Sequence, residues 1–128
     1  MKIEEAEKHE DKRGWLVEIL RRDKIQEDIK QIYFSITVPG AVRGNHYHKR
    51  KVEWFCVLKG VARLLMEDNN TKERKELILY GDCPKVVKIP PNVTHAIENI
   101  GDEDMYLMVI ANEVFDPRDP DTYYKIII

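Results

Sequence analysis

The chain has little cysteine, no long apolar run and no surplus of either charge, and each lack closes off a class of protein. Cys56 and Cys83 are too few for a disulfide scaffold. Cys56, set in the apolar stretch WFCVL, reads as a small buried hydrophobe. No stretch approaches the roughly eighteen apolar residues of a membrane helix. The opening MKIEEAEKHEDKRG has no apolar leader core, so the expectation is a cytoplasmic protein without a membrane partner. The 21 basic and 23 acidic residues leave a net charge of -2 and are spread along the chain, which argues against a nucleic-acid partner. Helical periodicity is missing too, and no helix of ordinary length is evident.

What is present is a series of short strands. Gln31–Val38 alternates Ile32, Phe34, Ile36 and Val38 with Tyr33, Ser35 and Thr37 before Pro39-Gly40 ends it. Glu53–Leu58 and Val61–Met66 read as a hairpin through Lys59-Gly60. Lys75–Leu79, Val86–Ile89, His95–Asn99 and Met105–Ala111 follow, separated by polar turns. This spacing predicts an all-β, mostly antiparallel jelly-roll barrel with little or no helix. At 128 residues and 15.1 kDa the expectation is a single domain, 1–128, with its barrel core at about residues 30–112. Trp15–Leu20 is a plausible strand. Tyr123–Ile128, after the proline-rich FDPRDPD, is an apolar terminal strand that should pack on its own barrel or a partner's; homodimerisation through the terminal strands is the preferred reading.

The chemistry concentrates in four residues. His46 and His48 flank Tyr47, so on a strand they share a face. Glu53 joins them if Lys49-Arg50-Lys51 bends the chain, and His95 would close the set from a distant strand. Three neutral imidazoles and one carboxylate suit a divalent transition metal, zinc foremost, with nickel, manganese or iron as alternatives. They leave room for water or substrate.

The glycines around these residues strengthen the reading. GAVRGNHYHKRKVEWFCVLKG places five residues between Gly40 and His46, four between His48 and Glu53, and six between Glu53 and Gly60. This resembles the first motif of the cupin superfamily at every marked position. GDCPKVVKIPPNVTHAIEN resembles the second, through Gly81, Pro90, His95 and Asn99, with two departures. Asn92 stands where the family usually has glycine, which asparagine can replace in a left-handed turn, and eight residues instead of five separate Gly81 from Pro90. DKRGWLVEI, PGAVRGNHYH and NEVFDPRDPDTY further resemble deoxysugar-processing cupins: the dTDP-4-dehydrorhamnose 3,5-epimerases, the dTDP-keto-sugar isomerases, and the C-terminal cupin domain of bifunctional capsular-polysaccharide epimerase/reductases.

The resemblance implies a metal-binding epimerase or isomerase that moves a proton beside the ketone of a nucleotide-linked deoxysugar. Such chemistry needs an enolate stabiliser, a base and an acid. Arg43 is the first candidate to grip the diphosphate and Lys49 the second, although Lys49-Arg50-Lys51 also reads as a solvated loop. In metal-free relatives the histidine of RGxH is the base, which would be His46. A metal-bound His46 has no free lone pair, and the base would then be a metal hydroxide or a barrel-facing tyrosine, Tyr33 or Tyr106. Two other classes stay open on this fold: a metal-dependent dioxygenase and a non-catalytic sugar-binding or sensing module.

Overall fold

Alternation of side chains sets the layers of the structure, a computed structural model that describes residues 1–128. Its strands are β1 (Lys2–Glu5), β2 (Glu7–Asp11), β3 (Gly14–Glu18), β4 (Gln31–Thr37), β5 (Val42–Tyr47), β6 (Glu53–Lys59), β7 (Val61–Asp68), β8 (Arg74–Tyr80), β9 (Lys85–Ile89), β10 (Val93–Asn99), β11 (Met105–Ala111) and β12 (Tyr123–Tyr124). A single 3-10 turn, Arg22–Lys24, is the only helical element, and no helix is long and apolar enough to cross a membrane. One five-stranded sheet runs β1-β9-β6-β11-β4 and the other β12-β5-β10-β7-β8, while β2 and β3 pair as a separate hairpin. Every pairing is antiparallel. The all-β expectation therefore holds.

The two sheets meet through their apolar faces. Phe55, Val57, Val87, Leu107 and Val109 come from one, and Leu64, Met66, Leu79, Val93 and Ile97 from the other. Each such side chain contributes about 1.5–3 kcal/mol when fully buried. A smaller cluster lies on the outer side of the first sheet, where Ile19, Leu20, Ile25 and Ile29 cover Trp54, Cys56, Val86 and Ile110. Cys56 is fully buried there, as expected, and Cys83 is exposed.

Two strand expectations need correction, and two further strands form where the sequence shows no alternation. β6 and β7 are not a hairpin: β6 pairs with β9 and β11, β7 with β8 and β10, and Lys59-Gly60 is a corner between the sheets. Gly60 takes φ 87 there, and a Cβ would lie 3.2 Å from Asp104 O and from Met105 Cα. The terminal strand is only Tyr123–Tyr124, paired with β5 of its own chain. Beyond it, the Ile127 and Ile128 amides donate to Asn45 Oδ1. Finally, β1 and β2 form from a charged N-terminus without apolar alternation, because β9 and β3 supply the pairing partners.

Candidate functional site

β5 carries the first ligand candidate through an irregularity. His46 lies opposite His95, but the next pair inward is Gly44 with Ala96, so Asn45 is an extra residue on β5. Gly44 (φ 93) and Asn45 (φ 56) absorb this bulge in the left-handed region. Past β5 the chain bends at Lys49-Arg50, and Glu53 opens β6 in the other sheet. The bend that the sequence required is present. His46, His48, Glu53 and His95 accordingly converge, with one ligand atom of each within 4.8 Å of the others.

The hydrogen bonds fix which nitrogens face inward. His48 Nδ1 lies 2.7 Å from Asp121 O, and His95 Nδ1 lies 3.0 Å from Val93 O. A carbonyl only accepts, so in both rings Nδ1 carries the hydrogen and a neutral ring keeps a lone pair on Nε2. His48 Nε2 is 2.9 Å from Glu53 Oε1 and His95 Nε2 is 3.3 Å from the same oxygen. The buried His95 Nε2 has no hydrogen-bond partner. Burial opposes the charge on Glu53, but the facing His48 and His95 rings outweigh it and hold the carboxyl well below the usual carboxylate range. Burial, and then the neighbouring His95 and His48, push His46 down to about 4, so it is neutral at pH 7. When His48 and His95 are neutral, acceptor groups face one another at Glu53, an arrangement that a cation completes in place of ring protons; this buried cluster could hold a metal.

Above it opens a cavity of about 450 Å³, lined by His46, His48 and Glu53 together with Gln31, Tyr33, Lys51, Phe115, Thr122 and Tyr124. Tyr33 lies on the inner side of β4 and its hydroxyl donates to Glu53 Oε2 at 3.4 Å. Tyr33 is 44% exposed, but enclosure of its hydroxyl, and then the charge of Glu53, push that hydroxyl above its ordinary value. Lys51 is 7% exposed and its ammonium forms no ion pair; the nearest aromatic ring, Phe115, is 5.7 Å away.

The other sequence candidates lie elsewhere. Tyr106 is not barrel-facing: it packs edge-on against Phe34, beneath Lys59, on the outer side of the first sheet. Arg43 does not line the cavity, and its Nε and Nη2 donate to Thr37 Oγ1 and Ile36 O. Lys49 places its ammonium over the exposed ring of Tyr123. Conversely, Lys51 was hidden among its charged neighbours, and Gln31, Phe115, Thr122 and Tyr124 carry no local signal of a shared wall. Asn92 does adopt the left-handed conformation, φ 64.

Residues 9–123 match the family described as the polysaccharide biosynthesis C-terminal domain. Over 115 residues the chain is 42% identical to UDP-2-acetamido-2,6-beta-L-arabino-hexul-4-ose reductase of Pseudomonas aeruginosa, covering 90% of this chain and 30% of the reductase. The capsular polysaccharide assembling protein CapF from Staphylococcus aureus superposes with a TM-score of 0.75 at 37% identity, over 95% of this chain and 34% of CapF. A double mutant of the 3,4-ketoisomerase QdtA from Thermoanaerobacterium thermosaccharolyticum, in complex with TDP, gives a TM-score of 0.79 at 27% identity, over 94% of this chain and 84% of QdtA. The chain thus spans about a third of the first two proteins and most of the third. Other relatives include a probable glycan-biosynthesis epimerase and a TDP-sugar oxoisomerase. With nearly its whole length matched, the chain belongs to the polysaccharide biosynthesis C-terminal domain family and has a cupin-like fold.

Proposed function

We propose that the chain is a cytoplasmic nucleotide-sugar epimerase or isomerase that moves a proton next to the ketone of a nucleotide-linked keto-deoxysugar. His46, His48, Glu53 and His95 would hold one divalent transition metal, zinc before nickel, manganese or iron. When bound, such an ion supplies Lewis-acid polarisation of a carbonyl. The observation that carries this reading is the cluster of inward-facing acceptors at the base of a cavity that also presents a protonated phenol and an unpaired ammonium.

The residues of the wall divide the remaining work. Tyr33, held protonated by burial and by Glu53, is suited to donate a proton rather than to remove one. Lys51 offers a fixed positive charge to an anionic substrate oxygen, and its burial makes that charge count for more than on an open surface. This displaces the role first considered for Arg43 and Lys49, whose cationic groups are directed elsewhere. His46 keeps a lone pair at neutral pH; it serves as ligand if metal is bound and as the base if it is not.

The large apolar side chains left on the outer side of the edge strand β4, Ile32, Phe34 and Ile36, support a homodimer built there instead of through the terminal strands.

The test is incubation with nucleotide-linked keto sugars in deuterated water. The expected result is deuterium incorporation at carbon next to the ketone, above the buffer rate. Binding without exchange would turn the reading toward a sugar sensor, and oxygen uptake by iron-loaded protein toward a dioxygenase.

A further inference from the structure

Asp121 stands far from the ligand candidates in the chain, yet it is buried to 3% exposure against them. Its Oδ1 accepts the Lys49 amide at 2.9 Å, and its Oδ2 accepts the Arg50 and Lys51 amides, each at 2.9 Å. The bend between β5 and β6 would otherwise leave three successive N–H groups with no strand partner. A buried carboxylate satisfies all three, as anions do in backbone nests. The left-handed φ of 47 at Asp121 accompanies a second contact, in which its own carbonyl faces His48 Nδ1 at 2.7 Å. One residue therefore holds both the loop and the ring that the loop carries.

These contacts have separate consequences. The carbonyl leaves His48 only one neutral tautomer, with its lone pair directed toward Glu53. The carboxylate sets where Lys51 leaves the loop, and hence places its ammonium in the cavity wall. A loop anchor alone needs only the second set of bonds.

We infer that Asp121 is a positioning residue that fixes the Nδ1–H tautomer and the aim of His48 while seating Lys51 in the cavity. The inference rests on the proposed site but is read without its activity. Two variants are informative. Asp121→Gly keeps the left-handed backbone and the carbonyl while removing the carboxylate; Asp121→Asn turns an amide toward three N–H donors. Asp119→Asn, which removes an exposed carboxylate paired with Arg50 in the same segment, is the matched control.

The experiment is a two-bond proton–nitrogen correlation spectrum of the imidazoles in metal-free protein, followed by cobalt(II) titration read by visible absorption. In wild type and Asp119→Asn, His48 Nδ1 should carry its hydrogen throughout the population. In folded Asp121→Gly or Asp121→Asn the carbonyl remains, but the freed loop no longer holds the His48 ring against it, so a population with Nε2–H and a bare Nδ1 should appear and cobalt affinity should fall about 10- to 100-fold. A wild-type tautomer together with wild-type cobalt affinity in both variants would overturn the inference. Failure of wild type to take up cobalt would count against the metal reading alone, because the tautomer is read on metal-free protein.

Discussion

His46 lies directly across from His95 on the β5–β10 pair, with ring centroids 4.8 Å apart and planes at 87°. Their common direction depends on the bulge beside them, where Gly44 passes against the β10 backbone. A Cβ on Gly44 would sit 2.7 Å from His95 O and 3.3 Å from Ala96 Cα, at φ 93. Gly44→Ala should therefore destabilise the protein by more than about 1 kcal/mol. In the surviving folded fraction it should also weaken metal binding. Urea unfolding and a cobalt titration on the same sample check both effects.

Metal content separates the two roles open to His46. Protein purified without chelator should carry close to one zinc, nickel, manganese or iron per chain by inductively coupled plasma mass spectrometry, and His48→Ala and Glu53→Ala should lose it. Wild type that neither holds nor takes up metal would end the four-ligand reading and leave His46, pushed down to about 4 and neutral at pH 7, as the base.

The cavity wall can be dissected by kinetics. Tyr33→Phe should lower kcat by about 10²- to 10⁴-fold, the range expected of a proton donor. Because burial and Glu53 keep the wild-type phenol protonated, its ionisation should not limit activity on the mildly alkaline side. Lys51→Met should reduce kcat/KM by about 10- to 100-fold, the loss of one charge-assisted hydrogen bond. Arg43→Met should act chiefly on stability, since its guanidinium ties Thr37 to Ile36 O. An Arg43 variant with the larger kinetic defect would reverse this assignment.

Burial pushes the Cys56 thiol up to about 11 from an ordinary 9.0. In the unfolded chain the thiol ionises first, so its contribution is fully present below pH 9 and is lost as pH rises toward 11. The loss is at most about 3 kcal/mol, taking about 1.4 kcal/mol per pH unit. Between pH 8.5 and 10.5 the urea midpoint of wild type should fall further than that of Cys56→Ala. A thiol reagent should label Cys83 but not Cys56 in the native state, and equal slopes with labelling of both would contradict the burial.

Light scattering after size exclusion tests the dimer. Phe34→Lys with Ile36→Glu should give a monomer of unchanged circular dichroism, while removal of Lys125–Ile128 should leave the dimer intact. The opposite pattern would return the interface to the chain terminus.

Much of the site was legible because His46, His48 and Glu53 are close in the chain and His95 sits in a second motif of its own, and their strand ends followed from turn residues. The β6–β7 connection was misread because Lys59-Gly60 has hairpin chemistry. Only the partners, β9 and β11 on one side, β8 and β10 on the other, show that it turns a corner. Lys51 and Asp121 were illegible for a similar reason. One sits in a run of like charge and the other in a proline-rich tail, and their meaning arises from the hydrogen bonds between those segments. Tyr106 could not be assigned a face from alternation alone, since β11 is apolar on both sides.

The bend between β5 and β6 has a mechanical result. Glu53 belongs to one sheet while His46 and His95 belong to the other, so the ligand set straddles the seam of the sandwich. Whatever fills it acts as a rivet. Separation of the layers would have to pull the ligands apart, and occupancy of the site would be felt throughout the fold as resistance to opening.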